Sequence, residues 1–341
     1  MSVAPTPIAA MGLSCPLGLS APAAYAAIRA GLSRFQELAY LDDRGEPLRG
    51  SRLAILEERT SERRRWFSLL CYALEDALRS QRATPNCQLF VVLPERPASM
   101  QSFVKSVEAA LDGRLSLERT QFFVGGPCAA YAAIQSAREQ LASRACQTAM
   151  VAAADSLIGA RALLAWSKQQ RLLTRANPDG FVPGEAAAAL LLARRCEDPL
   201  GSICAVGFGM EPGLLSNDVP LRSQGVVEAA RAALSACQLH MHDVDVRLSD
   251  ATGESYGFKE QALAVLRTLR ENKDSFPLWR SAASLGHTGV ASSMCNLVIA
   301  LCAARVGRFP GRRAIAYAAD DDGKRAALIL EPNAAVRMNR V

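Results

Sequence analysis

Histidine is scarce in this 341-residue sequence, and long runs of basic residues are missing. Only three histidines are present, so few imidazole groups are available for catalysis or for a metal site. Lysine and arginine exceed the acidic residues by 39 to 33, which gives a mild net charge of +6. The densest basic cluster, Arg63 to Arg65, precedes an apolar helical pattern and is interpreted as a solvated helix end. We therefore expect no nucleic-acid partner.

Paired cysteine motifs and membrane-length apolar runs are missing as well. The ten cysteines contain no C-x-x-C pair and no zinc-ligand spacing, which favours free buried thiols in a reducing compartment. Residues 1–12 lack the basic region and apolar core of a signal peptide. The apolar stretch Gly289 to Ala304 is too short and too polar to span a membrane. We expect a cytoplasmic protein that uses no metal and no cofactor.

The most informative stretch that is present runs from Gln121 to Ile134 and reads QFFVGGPCAAYAAI. A short apolar strand is broken by Gly-Gly-Pro and followed by an alanine-rich segment with helical spacing. Cys128 therefore falls at a helix N-terminus, where free amides and the helix dipole favour negative charge. We expect a lowered thiol pKa and a nucleophilic Cys128, more reactive than the other cysteines. The alternative is a small buried cysteine in a tight turn.

Strand-like and helix-like segments alternate along the whole chain, which is typical of α/β layers with a mainly parallel sheet. A Pro/Gly break at 198–201 separates two stretches of similar pattern. We predict two halves, residues 1–198 with the Cys128 turn and residues 199–341 with the histidine motif described below. Residues 42–62, which are polar and contain glycine and proline, are predicted to form a surface excursion.

Five short blocks follow one another along the chain: Gly12 to Gly18 (GLSCPLG), Gly126 to Ala130 (GPCAA), Asp179 to Glu185 (DGFVPGE), Gly207 to Met210 (GFGM) and Ser284 to Thr288 (SLGHT). In this order they resemble the β-ketoacyl synthase branch of the thiolase-like superfamily. That resemblance implies two βαβαβαββ-type halves in a five-layered α-β-α-β-α core, and a homodimer joined near residues 121–126. The carboxylates of the Asp179–Glu185 block are interpreted as fixing backbone in a turn.

The sequence departs from this family at three places that matter for condensation. By the resemblance, a working enzyme uses one cysteine and two histidines, and His287 matches the second histidine. Asp250 stands where the first histidine is expected, and an ionised carboxylate offers no donor to an enolate. Ala282 stands in place of the family's lysine. The acidic stretch Ala318 to Gly323 (AADDDG) lies near the expected glycine-rich turn.

Two classes of function remain open at this level. In the first, the chain is an acyltransferase that takes acyl thioesters of acyl-carrier protein or coenzyme A, with Cys128 and His287 as nucleophile and base and Asp250 as the orienting acid. In the second, it is an inactive adaptor or chaperone with a protein client, such as a silent synthase partner or a secretion-effector accessory protein. His240 and His242, followed by Asp243, form a surface turn rather than a metal site in this interpretation.

Overall fold

The computed structural model describes residues 4–57, 59–79, 87–112, 114–115 and 119–334. Strands and helices alternate as predicted. The first half contains β1 (Thr6–Ser14), α1 (Ala21–Arg29), β2 (Phe35–Leu41), β3 (Pro47–Ser51), α2 (Glu62–Arg79), β4 (Gln88–Leu93), α3 (Met100–Ala110), β5 (Thr120–Val124), α4 (Cys128–Ala142), β6 (Thr148–Ser156), α5 (Ala160–Lys168) and β7 (Glu185–Ala193). The second contains β8 (Gly201–Met210), α6 (Gln224–Ala236), β9 (Val246–Ser249), α7 (Ser255–Thr268), β10 (Leu278–Trp279), α8 (Ala282–Leu285), α9 (Ser292–Arg305), β11 (Ala314–Ala319) and β12 (Lys324–Pro332).

The main sheet repeats one strand pattern twice. Its order is β10-β9-β11-β12-β8-β1-β7-β6-β4-β5, so the two halves mirror each other about the β8–β1 junction. That junction is a short antiparallel pairing of residues 6–8 with residues 201–203. Each half has two parallel and two antiparallel pairings. The sheet is therefore mixed, and the prediction of a mainly parallel sheet is wrong.

Two helices, α4 and α9, lie in the centre of the protein. Each contacts strands of both halves, and they contact each other. From Ser292 to Ala304 every residue of α9 is buried, which fits a helix that is apolar on all sides. Further apolar clusters pack α2 and α3 on one outer face, and α6 and α7 on the other. These layers give the five-layered α-β-α-β-α architecture. The 198/199 boundary between halves stays a prediction.

Residues 42–62 include β3, which pairs with β2 as an antiparallel sheet separate from the main sheet. The polar composition of that segment did not reveal this hairpin. One local expectation is wrong, because Arg65 was expected on a solvated helix end. Its side chain is completely buried and forms two 2.7 Å hydrogen bonds with the Glu185 carboxylate.

Within the described ranges, no helix has the length and apolar character needed to cross a bilayer.

The carboxylates of the Asp179–Glu185 block hold backbone amides, as interpreted from the sequence. Glu185 accepts hydrogen bonds from the Leu53 amide and the Ser156 hydroxyl, each at 2.7 Å, in addition to those from Arg65. Asp179 accepts from the amide and hydroxyl of Ser255, the first residue of α7 in the other half. The block therefore fixes neighbouring backbone rather than offering a catalytic acid pair.

We predict that Arg65→Met lowers the free energy of unfolding by about 3–5 kcal/mol, because it leaves the Glu185 charge buried without its cation. Urea unfolding followed by circular dichroism measures the loss, and the neighbouring exposed Arg64→Met is the control. The double substitution Arg65→Met, Glu185→Leu should lose less than Arg65→Met alone. Equal midpoints for Arg65→Met and wild type would contradict this account.

Candidate active site

Cys128 occupies the place that the sequence predicts, at the first residue of α4. β5 ends at Val124, and Gly125, Gly126 and Pro127 lead directly into the helix. Gly126 is required by a close approach, because a Cβ atom there would lie 2.4 Å from Oδ1 of Asp320. Asp320 belongs to the turn between β11 and β12. The end of α4 is thus covered by an acidic side chain from the other half of the protein.

The Asp320 carboxylate bonds the amide that begins the helix. The Cys128 N–H donates to Asp320 Oδ1 at 2.8 Å. A carboxylate at a helix N-terminus is stabilised by the amide and by the helix dipole. The electrostatic feature that was expected to favour a Cys128 thiolate is therefore already used by a carboxylate.

The Cys128 side chain is a buried thiol, with 4% of its surface exposed. Its sulfur lies 3.2 Å from the Ala318 carbonyl oxygen and 3.3 Å from that of Lys324, so the S–H can donate to either one. Burial, followed by the negative charges of Asp320 and Asp250, raises the pKa of the Cys128 thiol. The expected lowering of the pKa is wrong, because desolvation and neighbouring acids outweigh the helix dipole.

Asp250 follows β9 and is 8% exposed. Its Oδ2 accepts a hydrogen bond from the Ala319 amide at 2.8 Å, so it anchors the same turn that carries Asp320. Burial raises the pKa of the Asp250 carboxyl to about 7. The contact of Asp250 is thus with backbone rather than with an imidazole.

His287 is held by its backbone. Its amide donates to the Val182 carbonyl at 2.8 Å, and its carbonyl accepts from the Gly184 amide at 2.9 Å. The ring packs edge-on against Phe181, with centroids 4.8 Å apart, and Nδ1 is buried without a hydrogen-bond partner in the described part of the chain. Burial lowers the pKa of His287 to about 4, so the imidazole is neutral near pH 7.

The three predicted residues lie around two different cavities. Asp250 and His287 line a cavity of about 290 Å³. Cys128 lines a neighbouring cavity of about 550 Å³, and Asp320 stands at the wall between the two. Among the described residues no hydrogen bond joins the side chains of Cys128, His287 and Asp250. Their catalytic roles therefore stay predictions.

Several residues of this region were not recognised from the sequence. Asp155, the penultimate residue of the buried strand β6, accepts a hydrogen bond from the Val290 amide at 3.0 Å. The signal available in the sequence was a single acid after six apolar residues. Arg325, at the start of β12, donates to Glu260 at 2.8 Å, and both side chains are 2% exposed. No short-range pattern links these two partners, which lie 65 residues apart.

The His240–His242 turn is remote from these cavities. The two rings stack with centroids 5.4 Å apart, and the His240 amide donates to Asp243 at 2.8 Å. Within the described ranges, no group of three or more histidine, cysteine or carboxylate side chains is arranged to hold a metal ion. The turn is best described as a surface cap at the start of β9.

Comparison with known proteins agrees with the fold and with the position of the cysteine turn. Residues 121–197 match the model of the β-ketoacyl synthase N-terminal domain. Polyketide synthase GfsA of Streptomyces halstedii is 27% identical over 226 residues, which cover 59% of this chain and 3% of GfsA. The chain therefore spans only a small part of this relative. The same holds for polyketide synthase GfsB from the same organism, of which the chain covers 4%.

Solved structures are similar over nearly the whole chain. The type II polyketide synthase complex AntDE:AntF, an acyl-carrier protein with its ketosynthase, matches with a TM-score of 0.80 at 13% identity, covering 96% of this chain and 99% of that one. The ketosynthase ApeO in complex with its chain length factor ApeC, from Xenorhabdus doucetiae, matches with a TM-score of 0.77 at 15% identity, covering 96% and 98%.

The protein therefore has the thiolase-like fold of ketosynthases. Within that fold class, residues 121–197, which include Cys128, are similar to the N-terminal domain of β-ketoacyl synthases.

We predict that iodoacetamide near neutral pH modifies Cys128 more slowly than the partly exposed Cys146, because the raised pKa leaves little thiolate. Asp320→Ala should accelerate modification of Cys128 about tenfold, since a neighbouring negative charge is removed. Time-resolved peptide mapping measures both rates. Asp322→Ala, in the same turn but paired with Lys324, is the control. Fastest labelling at Cys128 in the wild type would contradict the account.

Proposed function

We propose that this protein is a catalytically silent β-ketoacyl synthase-like subunit that acts through association with another protein. The observation that carries the proposal is the hydrogen bond from the Cys128 amide to the Asp320 carboxylate. In the catalysis that the family resemblance implies, amides near the nucleophile stabilise a developing oxyanion. Here that amide faces a carboxylate, which would repel the same negative charge.

Other residues of the site support a silent role. Asp250 stands in place of a histidine, and its Oδ2 accepts a hydrogen bond from the Ala319 amide. An ionised carboxylate has no N–H or O–H to donate to an enolate. Ala282 has no ammonium group to offer in place of the family's lysine. Loss of one preorganised donor typically costs about 3–4 kcal/mol of barrier. Substituting Asp250→His alone should restore little activity, because Asp320 would still occupy the Cys128 amide.

Acyl transfer through Cys128 is the second candidate function. It is favoured by the position of Cys128 at the first residue of α4 and by the adjoining cavity of about 550 Å³, whose walls include Phe123, Phe208 and Met210. Such a cavity has the apolar character that an acyl chain requires. The buried thiol and its raised pKa weigh against this function.

The partner in the proposed function has the same fold, either a second copy of this chain or a catalytic ketosynthase. β5 lies at one end of the main sheet and pairs on one side only among the described residues, so its other edge offers unpaired backbone groups. Val124, at the end of β5, is 44% exposed. The similar ketosynthase ApeO forms a complex with its chain length factor, and AntDE:AntF is a ketosynthase in complex with its acyl-carrier protein. Because these similar proteins form complexes with other proteins, they support a protein partner for this chain.

We predict no covalent acyl adduct on the protein after incubation with acyl-CoA or acyl-carrier protein of several chain lengths, and no carbon dioxide release from malonyl-carrier protein. We expect neither an adduct nor carbon dioxide release, because the Cys128 amide already donates to the Asp320 carboxylate. In addition, Asp250 and Ala282 replace the histidine and the lysine that the family resemblance implies. Intact-protein mass spectrometry and a decarboxylation assay measure these outcomes. An adduct or carbon dioxide release that is present in wild type and lost in Cys128→Ala would establish the acyltransferase instead.

We predict a homodimer at micromolar concentration when the chain is purified alone, with β5 at an isologous contact. Light scattering should give twice the 36.5 kDa chain mass. Val124→Asp places a charge at the edge and should shift the protein toward monomer, while Val306→Asp, at an exposed site after α9, should not. A wild-type mass of 36.5 kDa would refute the homodimer and leave a different ketosynthase-fold subunit as the partner.

A further inference from the structure

The cavity that Asp250 and His287 line has a strong excess of negative charge, in a chain whose net charge is +6. Among the described residues its walls carry two guanidinium groups, those of Arg171 and Arg325, against six carboxylates. The carboxylates belong to Asp155, Asp250, Glu254, Glu260, Asp320 and Asp321. Such a cavity disfavours the malonyl and phosphate groups of thioester substrates and favours a cation.

Both arginines of the cavity are already paired. Arg171 forms a bidentate contact with Glu254, in which its Nη2 lies 2.8 Å from Oε2. Arg325 pairs with Glu260, as described above. These pairs neutralise two of the six carboxylates.

Three of the remaining carboxylates are buried and bonded to backbone rather than to cations. Asp155 is 3% exposed, and Asp250 and Asp320 are each 8% exposed. Their oxygens accept from the amides of Val290, Ala319 and Cys128. None of the three forms a salt bridge with a described residue. Buried carboxylates without a counter-charge are costly, and a bound cation would stabilise them.

A separate observation indicates that a hydrogen-bond donor is missing from the cavity. Gln261, on α7, lines the cavity and is 5% exposed, yet its Oε1 has no hydrogen-bond partner in the described part of the chain. Nδ1 of His287, which also lines the cavity, is buried and equally without a partner in the described residues. A buried amide oxygen requires an N–H or O–H donor, which a carboxylate-lined wall does not supply.

The cavity wall already accommodates one organic cation, the side chain of Arg171. Its guanidinium carbon lies 5.2 Å from the centre of the Trp166 ring and 5.8 Å from that of Phe181, while the Glu254 carboxylate bonds its N–H groups. Aromatic faces and carboxylates together are the surroundings that guanidinium and ammonium groups prefer.

We propose that this cavity binds a small organic cation with N–H donors, an alkylammonium or guanidinium group, which reaches Gln261 and the buried carboxylates of Asp155 and Asp250. The cavity volume of about 290 Å³ suits a head group of this size. The group could be a free amine or a lysine or arginine side chain of a partner protein. The proposal rests on the composition of the cavity and holds whether or not Cys128 is acylated.

The proposal carries a pH dependence with a definite sign. Burial raises the pKa of Asp155 and of Asp250 to about 7, so both are partly protonated near neutrality. A cation binds the ionised forms, and affinity should therefore rise with pH through this range and then level off. The other titratable or charged groups that face the cavity are Glu254, Tyr256, Glu260, His287, Asp320, Asp321, Arg171 and Arg325.

Isothermal titration calorimetry on the full chain tests the proposal with n-butylguanidinium, n-butylammonium and the neutral isostere n-butylurea. We expect saturable binding of at least one cation near pH 8, at least about tenfold weaker binding of the urea, and weakening of the cation near pH 6. Equal affinity for the urea, or no saturation by either cation up to about 10 mM, would overturn the proposal. Acyl-adduct formation is measured separately, so failure here and failure of the proposed function are distinguishable.

Variants locate the site. Gln261→Leu and Asp250→Asn should each weaken cation binding about tenfold, because each removes one acceptor or charge. Glu271→Gln, an exposed acid of the same half, is the matched control and should leave binding unchanged. If Asp250→Asn does not fold, as judged by thermal melting, Asp155→Asn replaces it, because Asp155 is the other buried carboxylate of the proposed site. Unchanged binding in both Gln261→Leu and the aspartate variant would refute this location.

A blocked Gly-Arg-Gly peptide distinguishes the source of the cation. Tighter binding of this peptide than of n-butylguanidinium indicates a side chain of a partner protein, and weaker binding indicates a free amine. Either result supports the cationic site.

Discussion

The burial of α4 and α9 between the two halves of the main sheet is the constraint on which the rest of the structure depends. A helix covered on all sides offers no face to water, so its side chains must be small or apolar, and α9 is buried from Ser292 to Ala304. The start of α4 nevertheless carries amides that need acceptors. Those acceptors have to come from neighbouring chain segments, and the turn between β11 and β12 supplies one through Asp320. The chemistry available at Cys128 therefore depends on which group accepts the hydrogen bond of its buried amide, and that group is the Asp320 carboxylate.

The alternation of strands and helices and the place of Cys128 were predictable because they depend on local patterns. Apolar spacing marks a strand or helix within ten residues, and the Gly-Gly-Pro break marks the start of α4. β11 was not predicted, because Ala314 to Ala319 is rich in alanine, which does not distinguish a strand from a helix. The boundary between β6 and α5 is equally obscure in the sequence, because apolar residues continue past Ser156, the last residue of β6, to the start of α5 at Ala160.

Properties that depend on distant partners were not predictable. The sequence pattern suggested a low Cys128 pKa, since it shows the helix but not the acids 122 and 192 residues further along the chain that surround the thiol. It likewise placed Arg65 on a solvated helix end, because its partner Glu185 is 120 residues away. The acidic stretch Ala318 to Gly323 was recognised as a departure from the family, but which of its acids reaches α4 follows only from the fold.

The repeated strand order is the pattern expected of two modules that could be separated near residue 198. The contacts described above argue for mutual dependence instead. Asp320 of the second half bonds the first residue of α4, Asp179 of the first half bonds the first residue of α7, and Asp155 of the first half bonds the Val290 amide. The central apolar cluster also draws residues from strands of both halves of the main sheet. The two repeats therefore share one core, and each repeat supplies hydrogen-bond acceptors that the other lacks.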